Sequence, residues 1–100
     1  NWTDCPLPRG SHTATIIGNL MYVFGGYGGS GYARRDFNDT IVLDLETWEW
    51  KTIDCKGEIP EARSGHQAVS IHENLYVIGG WNSMEQFSNV YILNTTDNVW

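Results

Sequence analysis

The chain has 100 residues, 13% of them aromatic and only 18% charged, with a formal net charge of −6. This composition suits one small packed unit and excludes a disordered chain, and the scattered Lys and Arg argue against nucleic-acid or membrane partners, since phosphate binding needs clustered basic residues. No apolar run approaches the roughly 20 residues that span a bilayer, and the opening NWTDCPLPRG carries no signal-peptide pattern, which says nothing of any longer parent.

In chain order the predicted elements are all strands. TATII (13–17) and LMYVF (20–24) flank Gly18-Asn19, a two-residue hairpin signal. The stretch GGYGGSGYARRD (25–36) follows as a long, mobile loop. TIVLDL (40–45) and WEWKTI (48–53) flank Glu46-Thr47, and QAVSI (67–71) and LYVI (75–78) flank HEN (72–74). These runs are short and rich in Val, Ile, Tyr and Trp, with no helical period over a dozen residues.

Two stretches recur. RGSHTATIIGNLMYVFGG (9–26) lies over RSGHQAVSIHENLYVIGG (63–80) at an offset of 54. NDTIVLDLETWEW (38–50) lies over SNVYILNTTDNVW (88–100) at an offset of 50, the difference being extra loop after the first Gly-Gly. A duplication says more about fold than any single motif. It divides the chain into an outer strand and linker of a preceding unit (1–8), a first repeat (9–54) and a second (55–100) whose fourth strand stops at Trp100.

A di-glycine closing a strand (VFGG, VIGG), a start close to R-x-G-H, and a Trp opening the fourth strand (Trp50, Trp100) resemble the kelch repeat. That unit of about 50 residues forms one blade of a β-propeller. The resemblance covers the whole chain and implies an all-β fold, about two blades of four antiparallel strands from a larger propeller. Two blades cannot close a ring, so the remaining blades would come from the same or another chain. Leu43 and Leu93 stand where many kelch repeats carry Tyr. The chain is in this more similar to kelch proteins of the host cell factor, Rab9 effector and cell-end marker type than to cullin-adaptor kelch proteins.

Gly26, Gly28 and Gly31 fit G-x-G-x-x-G, and Asp44 closes the next apolar run, as in a dinucleotide site. Only YARRDFND separates Gly31 from Thr40, too little for a crossover helix, and the second repeat keeps only Gly79-Gly80. Gly25, Gly26, Gly79 and Gly80 therefore read as structural, placed where a Cβ would crowd other backbone, and no cofactor is expected.

The resemblance implies that the loops between second and third strands share a face with the connections at 5–10 and 55–65, and that such a face commonly binds partner peptides. Candidate partner-binding residues are Tyr27, Tyr32, Arg34, Arg35 and Phe37, with Trp81, Asn82 and Met84 in the second repeat. Aromatic and Arg side chains are what interface hot spots favour. The plainer reading is that Tyr32 and Phe37 cover a blade edge and the arginines are solvated. Arg9 and Arg63, before each first strand, either anchor a peptide carboxylate or tie neighbouring blades through Asp44 or another carboxylate.

His12 and His66 occupy equivalent places, but adjacent blades hold such positions apart and no third metal ligand is evident. They read as hydrogen-bonding members of the repeat. Trp50 and Trp100 read as blade-to-blade packing residues, with Trp48 on the same face as Trp50. Cys5 and Cys55 lie in or just after diverging outer strands, beyond the roughly 7 Å that a disulfide spans, so free thiols in a reducing compartment are expected. Asn38 and Asn94 begin N-x-T sequons at loop or turn positions and are candidate glycosylation sites, with Asn1 a third match.

The expected function is a non-catalytic protein–protein interaction scaffold of the cytoplasm, without catalytic residues, metal, cofactor, nucleic-acid or membrane partner. Two alternatives stay open: an enzyme whose catalytic site lies in other blades, as in galactose oxidase and specifier proteins, and an extracellular glycosylated module resembling attractin.

Overall fold

The computed structural model describes residues 9–28, 35–82 and 84–100. Every regular element among them is a strand: β1 (Thr13–Ile17), β2 (Leu20–Phe24), β3 (Tyr27–Gly28), β4 (Arg35–Asp36), β5 (Thr40–Asp44), β6 (Trp50–Ile53), β7 (Gln67–Ile71), β8 (Asn74–Ile78) and β9 (Val90–Asn94). The first blade is a four-stranded antiparallel sheet in the order β1-β2-β5-β6, and the second is a three-stranded antiparallel sheet in the order β7-β8-β9. Beside β9, Val99 bridges Asn94 antiparallel and Lys56 parallel. Trp100 N–H donates to the Lys56 carbonyl at 2.8 Å, so the connection leaving the first blade runs along the start of the second blade's outer edge.

The core is the layer between the two sheets. Alternation along β2 and β5 sends Tyr22, Phe24 and Val42 to one face, where they meet Leu75, Val77 and Leu93 of the second sheet, with Cys55 at the margin. Trp100 reaches across from the second blade and packs on Phe24 at 5.1 Å between ring centroids, while Trp50 is half-buried. Burying apolar faces of this kind is the main term holding two sheets together.

The turns differ from the sequence reading in three places. β8 begins at Asn74, so the second hairpin turns on His72-Glu73, with His72 at φ 54°. Asp44 Oδ1 accepts from the backbone N–H of Glu46 (2.9 Å) and Thr47 (3.3 Å), an Asx turn that extends the connection to Glu49. Trp48 therefore sits in the turn at φ 58°, 68% exposed, and does not pack beside Trp50. Third, the base of the long loop is ordered, because Tyr27 and Gly28 pair with Asp36 and Arg35 as a two-stranded ribbon.

The di-glycines mark where blades meet. Gly25 (φ 71°) has no room for a side chain: a Cβ would fall 2.6 Å from His66 Cε1 and 2.8 Å from the Arg63 carbonyl. Gly26 N–H donates to that same carbonyl at 2.8 Å. Gly25 and Gly26 thus admit the neighbouring blade's backbone, and no helix follows the di-glycines among the described residues, as a phosphate loop would need.

Candidate partner-binding face

Two loops and two connections interlock at one end of the sheets. Gly10 and Tyr27 exchange backbone hydrogen bonds at 2.8 and 2.9 Å, and Ser64 and Trp81 do the same at 2.8 and 2.9 Å. Each pair fastens the loop after β2 or β8 to the connection that enters its own blade. The two assemblies are joined by Ser64 Oγ donating to Asp36 Oδ1 at 3.3 Å. Asn82 shapes the second loop: its Oδ1 accepts from the N–H of Met84 and Glu85 (2.8 and 2.9 Å), and its Nδ2 donates to the Ala62 carbonyl at 3.4 Å.

This frame displays apolar groups. The Trp81 ring lies against Gly65, where a Cβ would collide with it, yet the residue is 51% exposed, and Met84 is 90% exposed. Arg35 is exposed and its guanidinium sits 4.8 Å from the Phe37 ring centroid. Tyr27, Arg35, Trp81, Asn82 and Met84 are therefore brought to one end of the molecule. Tyr32 and Arg34 lie outside the described residues.

Phe37, Arg9 and Arg63 are placed differently. Phe37 is buried, with the Arg9 guanidinium 4.3 Å from its ring centroid. Arg9 donates from Nη1 to the Gly25 carbonyl (3.0 Å) and makes a bidentate pair with Asp39, 2.7 Å from Nη1 and 3.0 Å from Nη2. Arg63 repeats the arrangement on Phe87 (4.0 Å), the Gly79 carbonyl (3.0 Å) and Asn89 Oδ1 (2.9 Å). These arginines tie strands of their own blade, through Asp39 and Asn89 and not Asp44, because each enters its blade beside the di-glycine and the loop's return. Arg63 is fully buried, so its guanidinium faces no surface that a partner could reach.

One difference between the two copies has an energetic consequence. Asp39 offers Arg9 two oxygens, whereas Asn89 offers Arg63 one, and Arg63 Nη2 is buried without an acceptor. Burial lowers the Arg63 pKa, with Tyr91, Glu61 and Glu85 partly countering it.

His12 is exposed, while His66 is buried between the two blades. His66 Nε2 shares a 2.9 Å hydrogen bond with Thr13 Oγ1 of the first blade, and its ring meets Phe24 edge-on at 5.4 Å. Burial pushes its pKa down to about 4, helped by the Arg63 charge. No group of three or more His, Cys, Asp or Glu able to hold a metal occurs among the described residues.

Cys55 is a buried free thiol whose pKa burial raises, and Cys5 lies outside the described residues. Asn38 is exposed and donates from Nδ2 to the Pro60 carbonyl at 3.2 Å. Asn94 is half-buried and uses Oδ1 to accept from Thr96 and Asp97 N–H at 2.9 and 3.3 Å, forming the second repeat's Asx turn.

Sequence reasoning missed Asp39, Asn89 and Phe87 as partners of the arginines, and Thr13 as partner of His66. The first three were visible in the repeat, since Phe37 and Asp39 align with Phe87 and Asn89 at the offset of 50. Thr13 had no such signal, for Gln67 stands at its counterpart.

Residues 2–100 match the model of the KLHDC2/KLHL20/DRC7 kelch-repeats domain. Host cell factor of Drosophila melanogaster is 38% identical over 112 residues, an alignment covering 93% of this chain and 8% of that protein. Acyl-CoA-binding domain-containing protein 5 of Arabidopsis thaliana is 35% identical over 95% of this chain and 14% of its own length. Kelch domain-containing protein 1 of Mus musculus is 37% identical over 95% and 23%. The chain thus spans less than a quarter of each of these relatives.

Proposed function

The chain belongs to the kelch-repeat family, and on that premise we propose that it is a non-catalytic interaction module whose loop face, formed by Tyr27, Arg35, Trp81, Asn82 and Met84, holds a protein partner. Kelch domains are generally protein-interaction modules. The observation that carries the reading is the exposure of Trp81 and Met84, apolar side chains beside backbone that is bonded to Ser64 and to Asn82 Oδ1. An aromatic and a Met beside an Arg have the composition of an interface core. The net charge of −6 favours neutral or basic partners over acidic ones. His66 and Arg63, the groups with the most unusual surroundings, are engaged in packing, which supports a binding role over a chemical one.

The test is capture by the immobilised chain, with the captured protein identified by mass spectrometry. Trp81→Ala combined with Met84→Ser should reduce recovery of that protein at least about tenfold, the size of one or two hot-spot residues. Thr52→Ala, on the outer strand, should not. Equal recovery by both variants would sink the loop-face reading. We place the module in the cytoplasm, supported by the free Cys55 thiol; a glycosidase-sensitive mass shift on the native protein would move it outside the cell.

A further inference from the structure

The bonds that fasten each loop recur from one repeat to the next, but the charges around the second loop do not. At the offset of 50, Glu85 stands where the first loop carries Arg35, and at the offset of 54, Glu61 stands where the chain has Leu7. A need of the blade would hold such positions to one charge, as it holds Arg9 and Arg63. The two carboxylates therefore belong to the surface character of this one loop and not to the architecture of the repeat.

The fold brings both carboxylates to the Trp81 side of the face, and Asn82 is the link. Its Nδ2 donates to the carbonyl of Ala62, the neighbour of Glu61, and its backbone N–H donates to the Glu85 carbonyl at 2.9 Å. Glu61 and Glu85 are exposed, and among the described residues neither carboxylate takes part in a hydrogen bond or ion pair. Arg63 touches Glu61 only at its backbone carbonyl, 3.1 Å from Nε, and its buried guanidinium feels both carboxylates through space. One positive and two negative charges leave this corner net negative, while Arg35 keeps to the first loop beside the Phe37 ring. A following blade does not have to close the corner. The first blade has its neighbour in place, and there Arg35, the counterpart of Glu85, stays exposed, while Tyr27, the counterpart of Trp81, stays half-buried. Glu61 lies in the connection between the two blades described, so its exposure already includes both.

Resting on the reading that this face holds a protein partner, we propose that the second loop takes a basic side chain of that partner, a Lys or Arg whose cation lies over the Trp81 ring between Glu61 and Glu85. An indole is the aromatic ring that attracts a cation best, and Trp81 is half exposed beside the two carboxylates. Met84, 90% exposed, offers apolar surface for the aliphatic stem of the same side chain. The carboxylates add attraction that is modest for each exposed pair, and they turn away an acidic side chain through like-charge repulsion. The corner thus selects the sign of the partner's charge, while Trp81 and Met84 supply the contact area.

Selection from a displayed library of random peptides on the intact protein that carries this chain tests the proposal. Peptides that the protein retains and that Trp81→Ala loses define the loop-face set. The expected result is enrichment of Lys or Arg at one position of that set. Glu61→Gln combined with Glu85→Gln should weaken its members roughly threefold or more, the worth of two exposed charge pairs. Glu61→Lys combined with Glu85→Lys should turn the selection toward Asp or Glu at the same position. A loop-face set without a basic preference, or one that binds the Gln variant unchanged, would overturn the proposal and leave the loop face standing as the partner site. Retained peptides that all survive Trp81→Ala would count against both. A library from which nothing is retained would overturn the proposal alone, since capture of the partner still reports on the face.

Discussion

His66 stands in the space that a side chain on Gly25 would fill, and the two residues come from different blades: a Cβ on Gly25 would lie 2.6 Å from His66 Cε1. The di-glycine that first looks like a phosphate cradle is thus the joint at which one blade admits the next. Gly25→Ala should cost well over the roughly 1–2 kcal/mol of placing Ala at positive φ, because His66 and the Arg63 carbonyl must also move. Gly79→Ala, with nothing closer than 3.5 Å, should cost only the backbone strain. Urea unfolding of both variants checks this, and equal losses would show that the joint is looser than the geometry requires.

The same histidine makes stability depend on pH. Its pKa is about 4 in the folded chain and near 6.5 when unfolded, so between those values the unfolded chain takes up a proton that the folded chain does not. Stability should fall as pH drops through that window, by about 3 kcal/mol in full. His66→Gln should flatten the difference in unfolding free energy between pH 7 and pH 4.5 relative to wild type. An unchanged difference would assign the acid sensitivity to carboxylates.

The two buried arginines predict a stabilising substitution. Arg9 has both oxygens of Asp39, while Arg63 Nη2 has no acceptor beside Asn89. Asn89→Asp should complete the second pair and stabilise by about 1–3 kcal/mol, the worth of a hydrogen bond to a charged group. Thermal unfolding should show a higher Tm; an unchanged or lower one would mean that desolvating the new carboxylate offsets the bond.

Trp48 and Trp100 should separate cleanly. Trp100 lies against Phe24 in the interblade core, so Trp100→Ala should cost about 3–5 kcal/mol. Trp48 is 68% exposed in a turn, and Trp48→Ala should change stability by less than about 0.5 kcal/mol. Chemical denaturation of the two variants decides it.

These contrasts show what was legible in the sequence. The duplication exposed the blades, their strand order and the structural character of the glycines, because a repeated residue reports a need of the repeat. The same duplication could have paired Arg9 with Asp39, since Arg9 recurs as Arg63 and the side-chain oxygen of Asp39 recurs in Asn89. It could not reveal that His66 meets Thr13 and Phe24, because that contact is made between blades. Nor could strand alternation place Trp48, since the Asx turn at Asp44 consumes two residues that the apolar pattern assigns to a strand. The placement of Trp81 was not legible either, since its ring lies against Gly65, 16 residues away and without a local signal.

The central claim is that the loop face carries the partner. A photo-cross-linking amino acid placed at Met84, and in a second variant at Thr52, measures it most directly. Cross-linked partner from the Met84 position and none from Thr52 is the predicted result. Cross-linking from Thr52, or from neither position while the partner is still captured, would contradict it.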